Sequence, residues 1–371
     1  MHALRLYAGP AARRHVERHG LRPHDIGVVP GAAGGPKGLV LGPLDRFLFG
    51  QWLPQSDHPV HLVGASIGAW RLATACLRDP VQALERLEHD YIHQEYELPP
   101  GRRLPTPEHV SLRFGENLQA FYGGRVTEVL GHSRFRLHVV TARGRHVLAR
   151  EHRIATPLGY LGAFVCNSVH RRALGAWLER VVFSAPGEGG AAALPFATGD
   201  YRTRQVALSE ANFSHALQAS CSIPFALKAV HDIPGAPRGA YWDGGITDYH
   251  LHLNYLRPQA PGNGTTAAGG LVLYPHFQKA VVPGWLDKGW RWRHAATPFL
   301  DHMLLLAPDP AWVAGRLPGG KLPDRTDFGR FGRDTRGRSA AWRAAASASR
   351  QLADEFAEWV ARPDPSRLEA L

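Results

Sequence analysis

A chain of 371 residues, 44% of them hydrophobic, is long enough for one large α/β domain or two modest ones, and too apolar to be disordered over most of its length. Its formal charge is +11, but no basic stripe interleaved with aromatics and no nucleic-acid fold signature accompanies it, so nucleic acid is not an expected partner. Three cysteines (Cys76, Cys166, Cys221) are too few for a disulfide framework or a Cys zinc site, no apolar run reaches the roughly 18 residues of a bilayer span, and the N-terminus lacks a secretory core, so a soluble, cytoplasmic protein is expected.

In chain order, "ALRLYAG" reads as a strand and "PAARRHVERHG" as a helix entered at Pro10 and stopped by Gly20. A short apolar strand at residues 26–29 precedes a glycine-rich loop and an apolar helix. "HLVGASIGAWRLATACL" repeats the pattern, and Asp79-Pro80 opens a further helix. Such strand–loop–helix units predict a three-layer α/β/α sandwich around a central, mainly parallel sheet. "SLRFGENLQAFYG" reads as helix and residues 135–143 as strand, while "RRALGAWLERVVF" reads as an amphipathic helix. "TRQVALSEAN" is a strand and turn, and "HALQASCSIPFAL" a helix broken at Pro224. "GAYWDGGITDYHLHL" has strand character with a turn at Asp243-Gly244-Gly245, and "GGLVLYPHF" is another strand. "FLDHMLLLAP" reads as core. Residues 316–343 read as an exposed basic loop, after which Trp342, Leu352, Phe356 and Trp359 fall on one final amphipathic helix. The division expected is 1–275 as the main domain and 276–371 as a C-terminal extension packed on it.

Three stretches carry candidate chemistry. Ser66 lies in Gly64-Ala65-Ser66-Ile67-Gly68, where Gly64 and Gly68 let a strand and a helix close on a sharp turn and leave the hydroxyl at the sheet edge. A serine hydroxyl needs a base and oxyanion donors before it is a useful nucleophile. The loop Gly34-Gly35-Pro36-Lys37-Gly38 is no phosphate loop, because Gly38 stands where a Ser or Thr would bind magnesium, and no dinucleotide loop, because G-x-G-x-x-G is absent. It offers flexible backbone donors beside a cation, which suits an oxyanion hole or, more plainly, a tight packing contact. Asp243, at a strand end before two glycines, is either a turn residue or a general base for Ser66.

Taken together and in this order, these stretches resemble the patatin-like phospholipase family, over roughly residues 24–250. The segment "ASCSIPFAL" ahead of Asp243 resembles that family too. The resemblance implies a lipid acyl hydrolase without metal or organic cofactor. It assigns a catalytic dyad to Ser66 and Asp243, and an oxyanion hole to Gly34, Gly35, Lys37 and Gly38. Ala32-Ala33 and Pro36 depart from the family loop and bear on the substrate more than on the chemistry. A Ser–His–Asp arrangement using His276, His250 or His252 is the rival mechanism, and a non-hydrolytic lipid- or acyl-binding protein the rival function. His89 and His93 at i, i+4, and His250 with His252, lack the further ligands of a metal site. The expected partner is a lipid or other acyl ester, with peripheral contact to anionic membrane through residues 316–343 and Trp342.

Overall fold

A computed structural model describes residues 2–99, 101, 105–187, 189–255 and 269–371. The chain begins with β1 (Leu4–Ala8) and α1 (Pro10–His19), with Pro10 at the helix start and Gly20 at its C-cap. β2 (Ile26–Gly31) runs through a 3-10 turn (Gly35–Leu41) into α2 (Gly42–Phe47), and β3 (Val60–Ala65) runs directly into α3 (Ile67–Ala75). Asp79 caps α4 (Pro80–Ile92), accepting the Gln82 N–H at 3.2 Å. Then come α5 (Pro107–Tyr122), α6 (Val126–Leu130), β4 (Phe135–Gly144), α7 (Ala155–Val169) and β5 (Leu178–Ser184). A two-strand clip, β6 (Pro186–Gly187) with β7 (Gly190–Ala191), precedes β8 (Thr203–Ala207), α8 (Phe213–Cys221), β9 (Val230–His231), β10 (Ala240–Asp243) and β11 (Leu271–Pro275). The chain closes with β12 (Met303–Pro308), α9 (Pro310–Arg316), α10 (Thr326–Phe331), α11 (Thr335–Ala348), α12 (Arg350–Ala361) and β13 (Leu368–Ala370).

The strands form one sheet in the order β13-β1-β12-β11-β2-β3-β4-β10-β9, with β5 on the far edge of β4 and β8 beyond it. The five strands β12 to β4 are mutually parallel, and antiparallel pairs occur on either side. Their apolar runs are buried throughout, as strands covered on both faces require. Helices flank the sheet: α3 packs on β2, β3 and β4, and α8 on β4 and β10.

The sheet positions the site through β4, whose one edge is shared by two strands. Ala65 at the end of β3 lies opposite Val140, while Asp243 at the end of β10 lies opposite the next residue, Thr141. β5 occupies the other edge of the same residues. A parallel and an antiparallel strand therefore meet nearly end to end, which brings Ser66 to Asp243 across 177 positions of sequence.

Two expectations about secondary structure are corrected. Residues 171–183 are not an amphipathic helix: Arg171–Ala176 is a 3-10 turn and Leu178–Ser184 is a strand with every residue buried. Glu179 and Arg180 are buried through ion pairs with Arg143 and Asp248, so "LERVVFS" lacks the apolar–polar alternation of a half-exposed strand and its adjacent charges mimic the polar side of a helix. Nor are residues 316–343 an exposed loop. They hold α10 and much of α11, drawn inward by buried Asp327, which accepts the Trp342 indole N–H at 3.0 Å and pairs with Lys321 at 2.9 Å. Arg338 is buried against the Phe328 and Trp342 rings. Trp342 is itself only 1% exposed, so it cannot rest on a membrane. The final amphipathic stretch is two helices that part at Ser349.

Candidate active site

Ser66 sits on the turn between β3 and α3 at φ 55° and ψ −131°, a conformation a non-glycine residue holds only when its surroundings enforce it. Here they do. A Cβ on Gly68 would come within 1.9 Å of the Gly31 carbonyl oxygen, so the start of α3 lies directly against β2. The Ser66 N–H donates to Ser220 Oγ at 2.9 Å, and that hydroxyl donates on to the Val140 carbonyl at 2.7 Å. One side chain thus ties the turn to β4.

The Ser66 hydroxyl donates to Asp243 Oδ2 at 2.7 Å, and Asp243 Oδ1 accepts the Gly245 N–H at 2.7 Å. The Asp243 N–H is held by the Ser222 carbonyl at 2.9 Å. A Cβ on Gly244 would lie 2.1 Å from the Val140 carbonyl oxygen, so no other residue fits directly after the aspartate. Burial pushes the Asp243 carboxyl up to about 6, against the hydrogen bonds from Ser66 and Gly245 that favour its charged form. The group is ionised at neutral pH and still basic enough to accept a proton.

Beside this pair, Ala33, Gly34 and Gly35 line one small pocket with Ser66 and Asp243. The Ala33 N–H is spent on the Tyr249 carbonyl at 3.0 Å, whereas the Gly34 and Gly35 N–H groups have no protein acceptor among the described residues. Pro36 offers none. Lys37 and Gly38 are not brought to this pocket. The Lys37 ammonium lies 4.9 Å from the Phe277 ring centre, and its pKa is lowered by burial. Gly38 packs against Ile67 and Arg71 within the 3-10 turn. The turn is anchored by a buried bidentate pair, Arg71 to Asp45, with both contacts at 2.6 Å.

The candidate histidines lie elsewhere. His250 and His276 are fully buried and pack edge to face at 4.4 Å, with their Nδ1 atoms on the Ala280 and Gln278 carbonyls. His252 bonds the Val281 carbonyl and Thr297. None lines the pocket with Ser66 and Asp243. His89 and His93 lie exposed at the end of α4 with ring centres 4.3 Å apart and tilted, and among the described residues no cluster of three or more His, Cys, Asp or Glu could hold a metal.

Sequence reasoning missed two cations. Lys288 and Arg325 line the pocket with the Ser66–Asp243 pair, and neither forms an ion pair among the described residues. Lys288 rests on the Tyr249 ring at 4.0 Å, and partial burial with the nearby charges of Lys37 and Arg325 lowers its pKa to about 8. Arg325 comes from the stretch read as a solvated loop. From Ser66 a larger cleft of about 520 Å³ opens, lined by Trp70, Tyr91, Phe114, Phe225, Leu227 and Phe328 among others. Its walls are mostly aromatic and aliphatic, as an acyl chain requires.

This layout defines an α/β protein with a hydroxyl–carboxylate pair where the carboxyl ends of parallel β3 and antiparallel β10 meet, beside an apolar cleft. A family model described as Patatin-like phospholipase matches residues 33–250, and the chain belongs to that family of lipid acyl hydrolases. A search of curated proteins returned no match. Among solved structures, VipD from Legionella pneumophila is similar at 13% identity and a TM-score of 0.30, over 90% of this chain and 67% of that one. No helix among the described residues is long and apolar enough to cross a membrane.

Proposed function

We propose that this protein hydrolyses the acyl esters of phosphate-bearing lipids through a Ser66–Asp243 dyad. As the Ser66 Oγ attacks the ester carbonyl, its proton passes to Asp243 Oδ2. The Gly34 and Gly35 N–H groups stabilise the oxyanion. Collapse of the tetrahedral intermediate returns the proton to the leaving alcohol and leaves Ser66 acylated. Asp243 then takes a proton from water, whose hydroxide attacks the acyl-enzyme; collapse breaks the Ser66 ester bond, Asp243 returns the proton to Ser66 Oγ, and the fatty acid leaves. The acyl chain occupies the 520 Å³ cleft. Lys288 and Arg325 meet the phosphate, for which unpaired cations are suited.

The observation that carries this reading is the 2.7 Å Ser66–Asp243 hydrogen bond in a pocket shared with two unengaged backbone donors. Labelling with a fluorophosphonate probe tests it. Wild type and His276→Ala should label, whereas Ser66→Ala and Asp243→Asn should not. Loss of labelling in a folded His276→Ala protein would instead assign a histidine to the chemistry, and an unlabelled wild type would leave a lipid-binding role.

A further inference from the structure

Helix α7 is apolar on both sides. Its inner face, with Gly159, Tyr160, Ala163 and Asn167, is buried, and Asn167 anchors it by donating to buried Asp287 at 2.8 Å. Its outer face should then be polar. Instead Ile154, Leu158, Leu161, Val165 and Val169 form a continuous stripe at helical spacing, between 54% and 81% exposed. Six of the eleven exposed large hydrophobic residues described lie on or beside this one helix. Monomeric proteins rarely leave such a patch uncovered.

The patch continues in two directions. Phe164 stacks on Trp290 at 6.1 Å, and Trp290 meets Trp292, which is 68% exposed. On the other side Tyr160 packs edge-on against Phe225 at 6.0 Å. Phe225 lines the apolar cleft that leads to Ser66, yet it is 60% exposed and held at φ 68°, a strained conformation for an aromatic residue. Buried Tyr160 therefore joins α7 to exposed Phe225, which places the cleft mouth beside the helix.

The rim is cationic. Arg153 precedes the stripe, Arg172 follows it and Arg291 stands between the two tryptophans; all three are exposed, and none has a carboxylate partner among the described residues. Pairing with a second copy through α7 would oppose these arginines to one another in either helix direction. Exposed Trp, Phe and Leu within an arginine rim match the interface of a bilayer that carries anionic head groups.

We propose that the outer face of α7, with Trp292 and Phe225, docks this protein on anionic lipid bilayers and sets the cleft mouth against the surface. This deepens the hydrolase reading and rests on it for the substrate, but docking itself needs no turnover. The test is flotation of Ser66→Ala protein with vesicles of phosphatidylcholine and phosphatidylglycerol at 7:3, and with phosphatidylcholine alone. Binding should favour the anionic vesicles. It should fall at least tenfold when Leu161→Glu and Val165→Glu are added, and Arg153→Glu with Arg172→Glu should abolish the anionic preference. In the otherwise wild-type background the α7 substitutions should leave hydrolysis of soluble 4-nitrophenyl butyrate unchanged, with an unaltered thermal melt. Vesicle binding that is absent, or unaffected by the α7 substitutions, overturns docking even if the soluble ester is turned over. An oligomer that the α7 substitutions dissociate assigns the face to a second copy and also overturns it. Vesicle binding with no turnover of any ester by wild type rejects the hydrolase reading alone.

Discussion

Replacing Asp243 with Asn should inactivate the protein and stabilise it at the same time. The amide oxygen can still accept the Gly245 N–H, but the amide nitrogen then faces Ser66 and takes no proton, so ester turnover should fall by about 10²–10⁴. The stability gain follows from the carboxyl being pushed from 3.8 up to about 6 by burial. A pKa unit is about 1.4 kcal/mol, so the buried carboxylate costs the fold about 3 kcal/mol once ionised. Because the folded-state pKa is raised, this cost is absent below pH 3.8, grows as pH rises through about 6 and is constant above that. For 371 residues the unfolding entropy is about 0.8 kcal/mol/K, so Asp243→Asn should gain about 4 °C in Tm at pH 8 and nothing at pH 3.5. Differential scanning calorimetry at the two pH values, beside an ester assay, measures both effects. A gain that is absent at pH 8, or the same at both, refutes the account of Asp243 as a destabilised buried base. Turnover retained within tenfold refutes its role as the base.

Wild-type kcat/KM should rise tenfold per pH unit up to about 6, where Asp243 ionises, and level off above. For phosphate-bearing esters alone it should decline again near 8, as Lys288 loses its proton; identical profiles for neutral and phosphate-bearing esters would exclude Lys288 from head-group binding. Ser220→Ala leaves the Ser66 N–H and the Val140 carbonyl unpaired in the interior and should cost about 2–4 kcal/mol in urea denaturation, with kcat falling more than KM. Arg71→Ala strands buried Asp45 beneath the glycine-rich loop and should cost about 3–5 kcal/mol by the same assay. His61 is held down to about 4, chiefly by burial. The unfolded state therefore takes up a proton that the folded state refuses, and about 3 kcal/mol should be lost as pH falls from 6.5 to 4, with a shallower acid slope in His61→Gln.

What was legible in the sequence was local. Gly64, Ser66 and Gly68 announce a strand-to-helix turn because their spacing alone allows β2 and α3 to touch, and Asp243-Gly244-Gly245 announces a strand end that can press against a neighbour. What was not legible depends on distant chain. Ser220 acts on Ser66 from 154 residues away, and nothing in "ASCSIPFAL" distinguishes its hydroxyl from that of Ser222. Arg325 looked solvated because its neighbours are Gly, Pro and Asp, yet Lys321, Asp327 and Trp342 fold that stretch back onto the cleft. β5 read as a helix because burial on both faces erases the alternation that marks a strand. The Lys37 motif was recognisable, but its side chain is occupied by Phe277, a contact that no spacing near residue 37 encodes.

The geometry of the pair rests on strand register more than on loop conformation. Ser66 and Asp243 each follow or end a strand paired to β4, at Val140 and Thr141, and the Val140 carbonyl also receives Ser220. The serine turn, its anchor and the aspartate therefore share one short length of backbone as their common reference. Such an arrangement suits a two-residue site. In a Ser–His–Asp triad the imidazole spans the gap between hydroxyl and carboxylate and tolerates some separation. Without it the carboxylate must lie within direct hydrogen-bond reach of the hydroxyl, and a strand slipped by one residue would turn Asp243 to the opposite face of the sheet. The interior supplies both the rigidity that fixes this contact and the desolvation that raises the carboxyl toward neutrality, so the burial that destabilises Asp243 is the same burial that would equip it for the proposed role of base.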